Sequence, residues 1–274
     1  KIEKVRNRVF PDDQALRDWV AAQGFSDFVQ EQIIKAVPPT VRVAKDTIIC
    51  IDLKSGKTLW KAAAPGEPKG RNCSSTPAVA DGHVFGVGST HLYCVDATTG
   101  KIKWSTETKR KATSSSPLFV DGVVVVHSND VTAYDAATGK EVWSHPKARV
   151  GNGSPVAWHK DGRAYVISHT RSTLAAYDAR TGAEQWSIPA GGDSTPAISG
   201  DLLAVQCRDE KLGFITVKLA PKSAKLLWNH PMVGRRTQSS PLIVDGKVYL
   251  VENSKAFCFE AETGKIVYEQ IVKS

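Results

Sequence analysis

The sequence predicts an all-β fold built from four-stranded units that repeat along the chain, and three observations support this prediction. A short phrase that ends in an aromatic residue occurs six times, and this aromatic residue recurs at intervals of 44, 39, 43, 42 and 40 residues. Between the phrases, Ser/Thr-Pro steps and Asp-Gly pairs also repeat. A fixed period of about forty residues indicates one supersecondary unit stacked many times.

The repeated phrase has the chemistry of a turn followed by a docking residue. Its first copy runs from Ile51 to Trp60 and combines an acidic residue, a glycine and a closing aromatic residue. We expect the acid to accept backbone N–H bonds, the glycine to take the left-handed conformation, and the aromatic ring to dock between adjacent units. The motif positions are Asp52, Gly56 and Trp60; Asp96, Gly100 and Trp104; Asp135, Gly139 and Trp143; Asp178, Gly182 and Trp186; Trp228 in a degraded fifth copy; and Gly264 and Tyr268.

The stretches between these phrases predict the other strands of each unit. A Ser/Thr-Pro step such as Ser116-Pro117 comes first, and an Asp-Gly pair such as Asp121-Gly122 follows between two apolar runs. Asp-Gly in that position is a strong hairpin signal. Each unit therefore has four strands, A to D, and such units arranged radially around an axis form a β-propeller. No long helical pattern separates the strands, which argues against an α/β barrel.

The phrase Ala/Val-x-Asp-x-x-Thr-Gly-x-x-x-Trp resembles the tryptophan-docking motif of the PQQ-like, or quinoprotein-type, β-propeller repeat family. The resemblance covers residues of about 41 to 268. It implies a propeller fold, but it leaves the function open because the family holds both dehydrogenases and binding scaffolds. Among the scaffolds are periplasmic propellers that help to assemble outer-membrane proteins.

The chain divides into two regions in this interpretation. Residues 1–40 form an N-terminal helical arm or linker, with two helices predicted between Pro11 and Val37 from the helical spacing of apolar residues. Residues 41–274 form the propeller. The first unit lacks its inner strands, so either residues 1–10 or the tail after Tyr268 completes the ring, or the chain is a piece of a propeller with seven or eight blades.

Composition narrows the class of protein further. The chain is 41% hydrophobic with a mean hydropathy of −0.24, which is typical of a soluble globular protein. Because no apolar run approaches 18 residues, we expect no transmembrane segment. Five cysteines include no Cys-x-x-Cys pair, so we expect small buried thiols and no metal site.

The net charge of +8 is concentrated in the segments that join strand D of one unit to strand A of the next. These D–A segments hold ten cationic side chains against three carboxylates, and the B–C connections add further polar groups to the same end of the propeller. A surface with one sign of charge attracts ligands of the opposite sign. The predicted ligand-binding residues are Arg71, Asn72, Arg110, Lys111, His127, Asn129, Arg149, Asn152, His169, Arg171, Arg208, Arg235, Arg236 and Gln238.

Three functions agree with this pattern. The first is a non-catalytic binding or scaffolding propeller of the bacterial envelope that recognises an anionic ligand or a protein partner, and it predicts no catalytic residue, cofactor or metal. The second is a PQQ-dependent dehydrogenase with calcium, although the chain has no adjacent Cys-Cys pair. The third is an enzyme or binding module for an anionic polysaccharide. The resemblance implies a periplasmic or otherwise exported protein; nucleic acid is not expected as a partner because aromatic residues do not alternate with the cations.

Overall fold

The computed structural model describes residues 10, 12–36, 44–67, 74–109, 114–233 and 239–272. The chain separates into two compact units, one of Lys1–Lys45 with Pro65–Pro68 and one of Asp46–Ala64 with Lys69–Ser274. In the first unit, helices α1 (Asp13–Ala21) and α2 (Asp27–Ala36) confirm the predicted helical arm. Asp12 caps α1, because its side chain accepts a 2.8 Å hydrogen bond from the backbone N–H of Ala15.

The second unit consists of antiparallel sheets in chain order, as the repeat predicts. A two-stranded sheet, which we name the half-blade, holds only the equivalents of strands C and D, and five four-stranded sheets, blades I to V, follow. The half-blade holds β1 (Ala44–Ile51) and β2 (Thr58–Gly66); blade I β3 (Ala78–Ala80), β4 (His83–Val87), β5 (His91–Asp96) and β6 (Ile102–Glu107); blade II β7 (Leu118–Val120), β8 (Val123–Ser128), β9 (Asp130–Asp135) and β10 (Glu141–His145); blade III β11 (Val156–Lys160), β12 (Arg163–His169), β13 (Leu174–Asp178) and β14 (Glu184–Ile188); blade IV β15 (Ala197–Ser199), β16 (Leu202–Gln206), β17 (Phe214–Ala220) and β18 (Ser223–His230); and blade V β19 (Leu242–Val244), β20 (Lys247–Glu252), β21 (Lys255–Glu260) and β22 (Ile266–Ile271).

The two predicted turns form as expected. In the A–B hairpin of blade II, Asp121 and Gly122 both have positive φ angles, of 48° and 81°, which is the conformation that a two-residue hairpin with matching twist requires. In the C–D turn of blade I, Asp96 accepts hydrogen bonds from the backbone N–H and the hydroxyl of Thr99, both at 2.8 Å. These bonds stabilise the carboxylate and lower the pKa of Asp96.

Four of the five closing tryptophans in the described residues dock between neighbouring blades through both a polar and an apolar contact. In blade II, the indole N–H of Trp143 donates a 2.9 Å hydrogen bond to the carbonyl oxygen of Ala179 in blade III. The same ring lies so close to Gly182 that a Cβ there would come within 2.5 Å of it. The same pair of contacts joins Trp60 to Ala97 and Gly100, Trp104 to Ala136 and Gly139, and Trp228 to Ala261 and Gly264.

Buried apolar clusters fill the spaces between successive blades. Val124 and Val126 of blade II pack with Phe85 and Leu92 of blade I, and similar clusters join the later blades. The half-blade is fixed on blade I by its Asp46, which accepts hydrogen bonds from the backbone N–H of Ser89 at 2.9 Å and from the hydroxyl of Tyr93 at 3.0 Å. The structure thus places the core between sheets, where the docking motif predicted it.

Four of the five cysteines lie in the described residues, and all four are free thiols. Cys94, Cys207 and Cys258 are buried, as expected for small apolar side chains, and Cys50 is partly buried. Burial raises the thiol pKa of Cys94 to about 11 and that of Cys207 to about 12, so both stay protonated at neutral pH. Cys73 lies outside the described residues.

Candidate ligand-binding face

The repeated turns occupy one face of the propeller, which leaves the opposite face for a site. In blades I and II the C–D turn bonds to the A–B turn: the backbone N–H of Ala97 donates to the carbonyl of Gly82 at 2.9 Å, and that of Ala136 to the carbonyl of Gly122 at 3.0 Å. The B–C connections and the D–A segments therefore meet at the other ends of the strands. We call this second surface the loop face.

Seven of the fourteen predicted ligand-binding residues lie on the described part of the loop face or beneath it. These seven are His127, Asn129, Arg149, Asn152, His169, Arg171 and Arg208. The others fall outside the described residues, and they are Arg71, Asn72, Arg110, Lys111, Arg235, Arg236 and Gln238.

The fold brings Arg149 and Arg171 together from two different connections. Arg149 belongs to the D–A segment after blade II and Arg171 to the B–C connection of blade III. The backbone N–H of Arg171 donates a 2.9 Å hydrogen bond to the carbonyl of Arg149, and the N–H of Val150 donates to the carbonyl of Asn129 at 3.4 Å. Both arginines are exposed, and neither forms an ion pair within the described residues. Two planar cations thus point to solvent from adjacent backbone positions.

Arg208 is the next cation along the loop face, but its charge is already paired with a carboxylate. Its backbone N–H donates to the carbonyl of Gly191 at 2.8 Å, and its guanidinium forms an ion pair with Asp193. The other oxygen of that carboxylate accepts a hydrogen bond from the backbone N–H of Asn152 at 3.3 Å. Asp193 therefore joins two D–A segments. It also neutralises Arg208, one of the three cations Arg149, Arg171 and Arg208.

A second cation of the predicted surface is also neutralised. Lys109, from the D–A segment after blade I, lies 3.3 Å from a carboxylate oxygen of Asp130 and 3.4 Å from one of Glu141. The charge excess counted along the D–A segments therefore overstates the free positive charge. Among the described residues around blade III, Arg149 and Arg171 are exposed cations that form no ion pair.

His127 lies beneath the loop face, and its side chain is fully buried. Its Nδ1 lies 2.8 Å from the carbonyl oxygen of Gly153, which can only accept, so Nδ1 carries the proton. The hydroxyl of Ser168 lies 2.8 Å from Nε2 and donates to it. Burial, partly opposed by the bond to Gly153, lowers the pKa of His127 to about 4. This Ser–His pair has the spacing of a nucleophile and its base, but solvent does not reach either side chain.

His169 has a similar position one blade further on. Its Nδ1 lies 2.7 Å from the carbonyl of Ser194 and its Nε2 lies 3.0 Å from that of Ala190, so the ring holds the D–A segment that follows blade III. Burial lowers the pKa of His169 as well. Both predicted histidines thus position the connections that form the loop face instead of presenting their rings to a ligand.

Hydrogen bonds between successive blades form a belt around the axis that was not predicted from the sequence. In the Ser/Thr-Pro steps that precede strand A of blades I to IV, the backbone N–H of the Ser or Thr donates to the hydroxyl at the same position of the next blade. The bonds run from Thr76 to Ser116, Ser116 to Ser154, Ser154 to Thr195 and Thr195 to Ser240, at 2.9, 2.9, 2.9 and 3.1 Å. The repeated Ser/Thr-Pro step could have indicated these bonds. The start of a strand does not by itself need a hydroxyl, so a Ser or Thr that recurs there suggests a hydrogen-bonding role.

The described residues offer no group of three His, Cys, Asp or Glu side chains that could hold a metal ion. In the described part of the chain, neither helix is long and apolar enough to cross a membrane.

The family model described as outer membrane protein assembly factor BamB matches residues 44–147 and 127–274. The chain belongs to this PQQ-like β-propeller family. The motif that suggested the resemblance thus identifies both the fold and the family.

Two curated relatives match parts of the chain. Tetrathionate hydrolase of Acidithiobacillus ferrooxidans is 28% identical over 235 residues, which are 74% of this chain and 45% of the relative. Quinohemoprotein alcohol dehydrogenase ADH-IIG of Pseudomonas putida is 34% identical over 116 residues, 35% of this chain and 16% of the relative. The chain therefore spans less than half the length of either enzyme.

Solved structures share the fold at low identity. BamB from Moraxella catarrhalis has a TM-score of 0.63 and 18% identity, over 83% of this chain and 71% of that one. Quinohemoprotein alcohol dehydrogenase from Comamonas testosteroni has a TM-score of 0.58 and 17% identity, over 74% and 43%. A BamB propeller and a dehydrogenase propeller are thus both structurally similar to this chain.

Proposed function

We propose that this chain is a non-catalytic binding or scaffolding propeller of the bacterial envelope, whose loop face recognises an anionic ligand or an acidic segment of a protein partner. The observation that supports it is the exposed pair Arg149 and Arg171, held side by side by a backbone hydrogen bond. The family description, an outer-membrane-protein assembly factor, supports the scaffold role and the periplasmic location.

The chemistry of this pair suits carboxylates, sulfates and phosphates. A guanidinium binds such groups through two parallel N–H bonds, and two of them at adjacent positions match a dianion or two neighbouring acidic side chains. The buried rings of His127 and His169 fix the connections from below, so the arginine backbones are preorganised. The predicted residues outside the described ranges remain predictions that would extend the same surface.

The test is a charge reversal on one face against the same reversal on the other. Arg149→Glu with Arg171→Glu should abolish capture of partners from an envelope extract and binding of an anionic probe such as polygalacturonate. Lys101→Glu with Lys140→Glu makes the same change in net charge on the turn face, where both lysines are exposed. The loop face is not the site if the turn-face variant loses as much binding as the loop-face variant, or if neither variant binds less than the unchanged protein.

The alternative functions are enzymatic. Similarity to two quinohemoprotein alcohol dehydrogenases supports a PQQ-dependent oxidation. Titration with PQQ and Ca²⁺ should then change the quinone absorbance and support dye-linked oxidation of alcohols. The relative named tetrathionate hydrolase supports an enzyme for an anion, since tetrathionate is a dianion. Turnover of tetrathionate or of an acidic glycan that Arg149→Glu with Arg171→Glu removes would replace the scaffold proposal with an enzymatic one.

A further inference from the structure

The connections of blades III and IV repeat one backbone arrangement on the loop face, but they carry different charges. In blade III, the backbone N–H of Arg171 donates to the carbonyl of Arg149 at 2.9 Å. In blade IV, the backbone N–H of Arg208 donates to the carbonyl of Gly191 at 2.8 Å. Arg171 and Arg208 therefore occupy equivalent positions, as do Arg149 and Gly191.

The arginine of blade IV has a carboxylate from the chain itself. One oxygen of Asp193 pairs with the guanidinium of Arg208, and the other accepts the backbone N–H of Asn152 at 3.3 Å. The Asp193 side chain is only 9% exposed, so these donors hold it in a defined place. A guanidinium and an N–H that each bind one oxygen suit the planar carboxylate group.

The arginine of blade III has no such carboxylate among the described residues. The residue just before the carbonyl that each buried histidine bonds is Asp193 ahead of blade IV, but Asn152 ahead of blade III. The amide side chain of Asn152 is exposed and forms no hydrogen bond with the described residues. Arg149 instead adds a second guanidinium where blade IV has a glycine. Blade III thus has more positive charge at this position, and the carboxylate is missing.

We propose that Arg149 and Arg171 bind a carboxylate of the ligand in the place that Asp193 takes beside Arg208, an inference that rests on the loop face being the binding surface. Asp193 is then an internal model of the bound ligand group. Two guanidiniums can each bind one carboxylate through parallel N–H bonds. Two neighbouring Asp or Glu side chains of a polypeptide have the matching chemistry.

The charges next to this pair favour a short acidic segment of a protein over a uniformly charged polyanion. The neighbouring connections of blade IV hold two cations and three carboxylates, namely Arg208, Lys211, Asp193, Asp209 and Glu210. An anionic chain that continued from the pair toward blade IV would therefore meet a net negative charge. A polypeptide in which neutral or basic residues follow the acidic pair avoids this repulsion.

The test gives blade III a carboxylate of its own. Asn152→Asp places an acid where blade IV has one, so Arg171 gains an internal partner and the ligand must compete with it. In calorimetric titration of the full chain, this variant should bind an acetylated and amidated peptide with a Glu-Glu pair at least about tenfold more weakly. Asn253→Asp is the matched control, because it makes the same charge change at an exposed residue of the B–C connection of blade V. It should keep the affinity within about twofold.

Two further probes test the chemistry of the ligand. The Glu-Glu peptide should bind more tightly than polygalacturonate at equal carboxylate concentration, and a Gln-Gln peptide should not bind. Equal affinity of the Asn152→Asp and Asn253→Asp variants, or an unchanged protein that does not bind the Glu-Glu peptide, overturns the carboxylate subsite. Tighter binding of polygalacturonate overturns the acidic polypeptide as ligand. The proposed function fails in a different way, when Arg149→Glu with Arg171→Glu leaves the binding of partners and of every anionic probe unchanged.

Discussion

The interface between blades II and III differs from the one between blades III and IV, although both bury a docking tryptophan to the same extent. Trp143 of blade II bonds to the carbonyl of Ala179 and lies on Gly182. Trp186 of blade III faces the degraded motif copy, which has no glycine, and its buried indole N–H has no hydrogen-bond partner among the described residues. The docking motif is therefore not required at every interface.

Other contacts replace the missing docking bond at the interface between blades III and IV. Trp158, on strand β11, donates its indole N–H to the carbonyl of Gly200 at 3.2 Å and packs on Tyr165. Lys160 forms a 2.6 Å ion pair with Asp201 of blade IV. A large apolar cluster surrounds them. The difference between the two interfaces indicates that burial of apolar area holds the blades together, while the motif adds a polar bond and a fixed register.

The largest effect is expected where a side chain would displace the docking ring. Gly182→Ala should reduce the free energy of unfolding by about 4 kcal/mol, because the new Cβ overlaps Trp143 and the backbone has a positive φ. Gly162→Ala is the matched control, since its φ is +73° but nothing lies within 4 Å, and should cost about 1 kcal/mol. Denaturant unfolding measures both, and equal losses would show that the ring does not depend on this glycine.

The second-largest effect is expected from a change of pH, because His127 is buried at the interface between blades II and III and stability depends on its protonation. Its pKa is lowered to about 4 in the folded protein from 6.5, mainly by burial. Between these values the unfolded chain binds a proton that the folded chain does not. Stability from this group is therefore complete above pH 6.5 and falls by about 3 kcal/mol as the pH drops toward 4. In pH-dependent urea unfolding, His127→Gln should reduce this slope to the part that His169 contributes, whereas His83→Gln, at a half-buried ring near a turn, should leave it unchanged.

A smaller effect should separate the two tryptophans. Trp143→Phe leaves the carbonyl of Ala179 without its donor, whereas Trp186→Phe removes a donor that already lacks a partner. Both replacements remove the same apolar area, so the difference in unfolding free energy isolates the hydrogen bond. We expect Trp143→Phe to be more destabilising by about 1–2 kcal/mol. A larger loss for Trp186→Phe in urea unfolding would contradict this assignment.

The smallest effect is expected at the surface bridge between blades II and III. Arg180 donates to both oxygens of Asp121 at 2.6 and 2.8 Å, and this bond lowers the carboxyl pKa of Asp121. Because the pair is exposed to solvent, Arg180→Gln should change stability little, and added salt should mask the change. A salt-independent loss comparable with that of Trp143→Phe would show that this bridge holds the interface.

Much of the fold could be predicted because the relevant residues are close in sequence. Asp121-Gly122 fixes a hairpin and Asp96 with Thr99 fixes a turn through bonds within three residues. The six copies then gave the number and order of the units. The candidate site was harder to predict, because charge counts did not show that Asp193 and Asp130 neutralise Arg208 and Lys109.

By itself, the sequence determined the repeat, the turns, the docking rings and the family, because each depends on local spacing that recurs every forty residues or so. Only the tertiary structure decided which side chains meet across blades. It buried His127 against Ser168, placed Arg149 beside Arg171, and gave the indole N–H of Trp186 no acceptor in the part of the chain that the structure describes. The physical reason is that these contacts join residues from different repeats, whose approach is set by sheet packing and not by the neighbours of either residue along the chain.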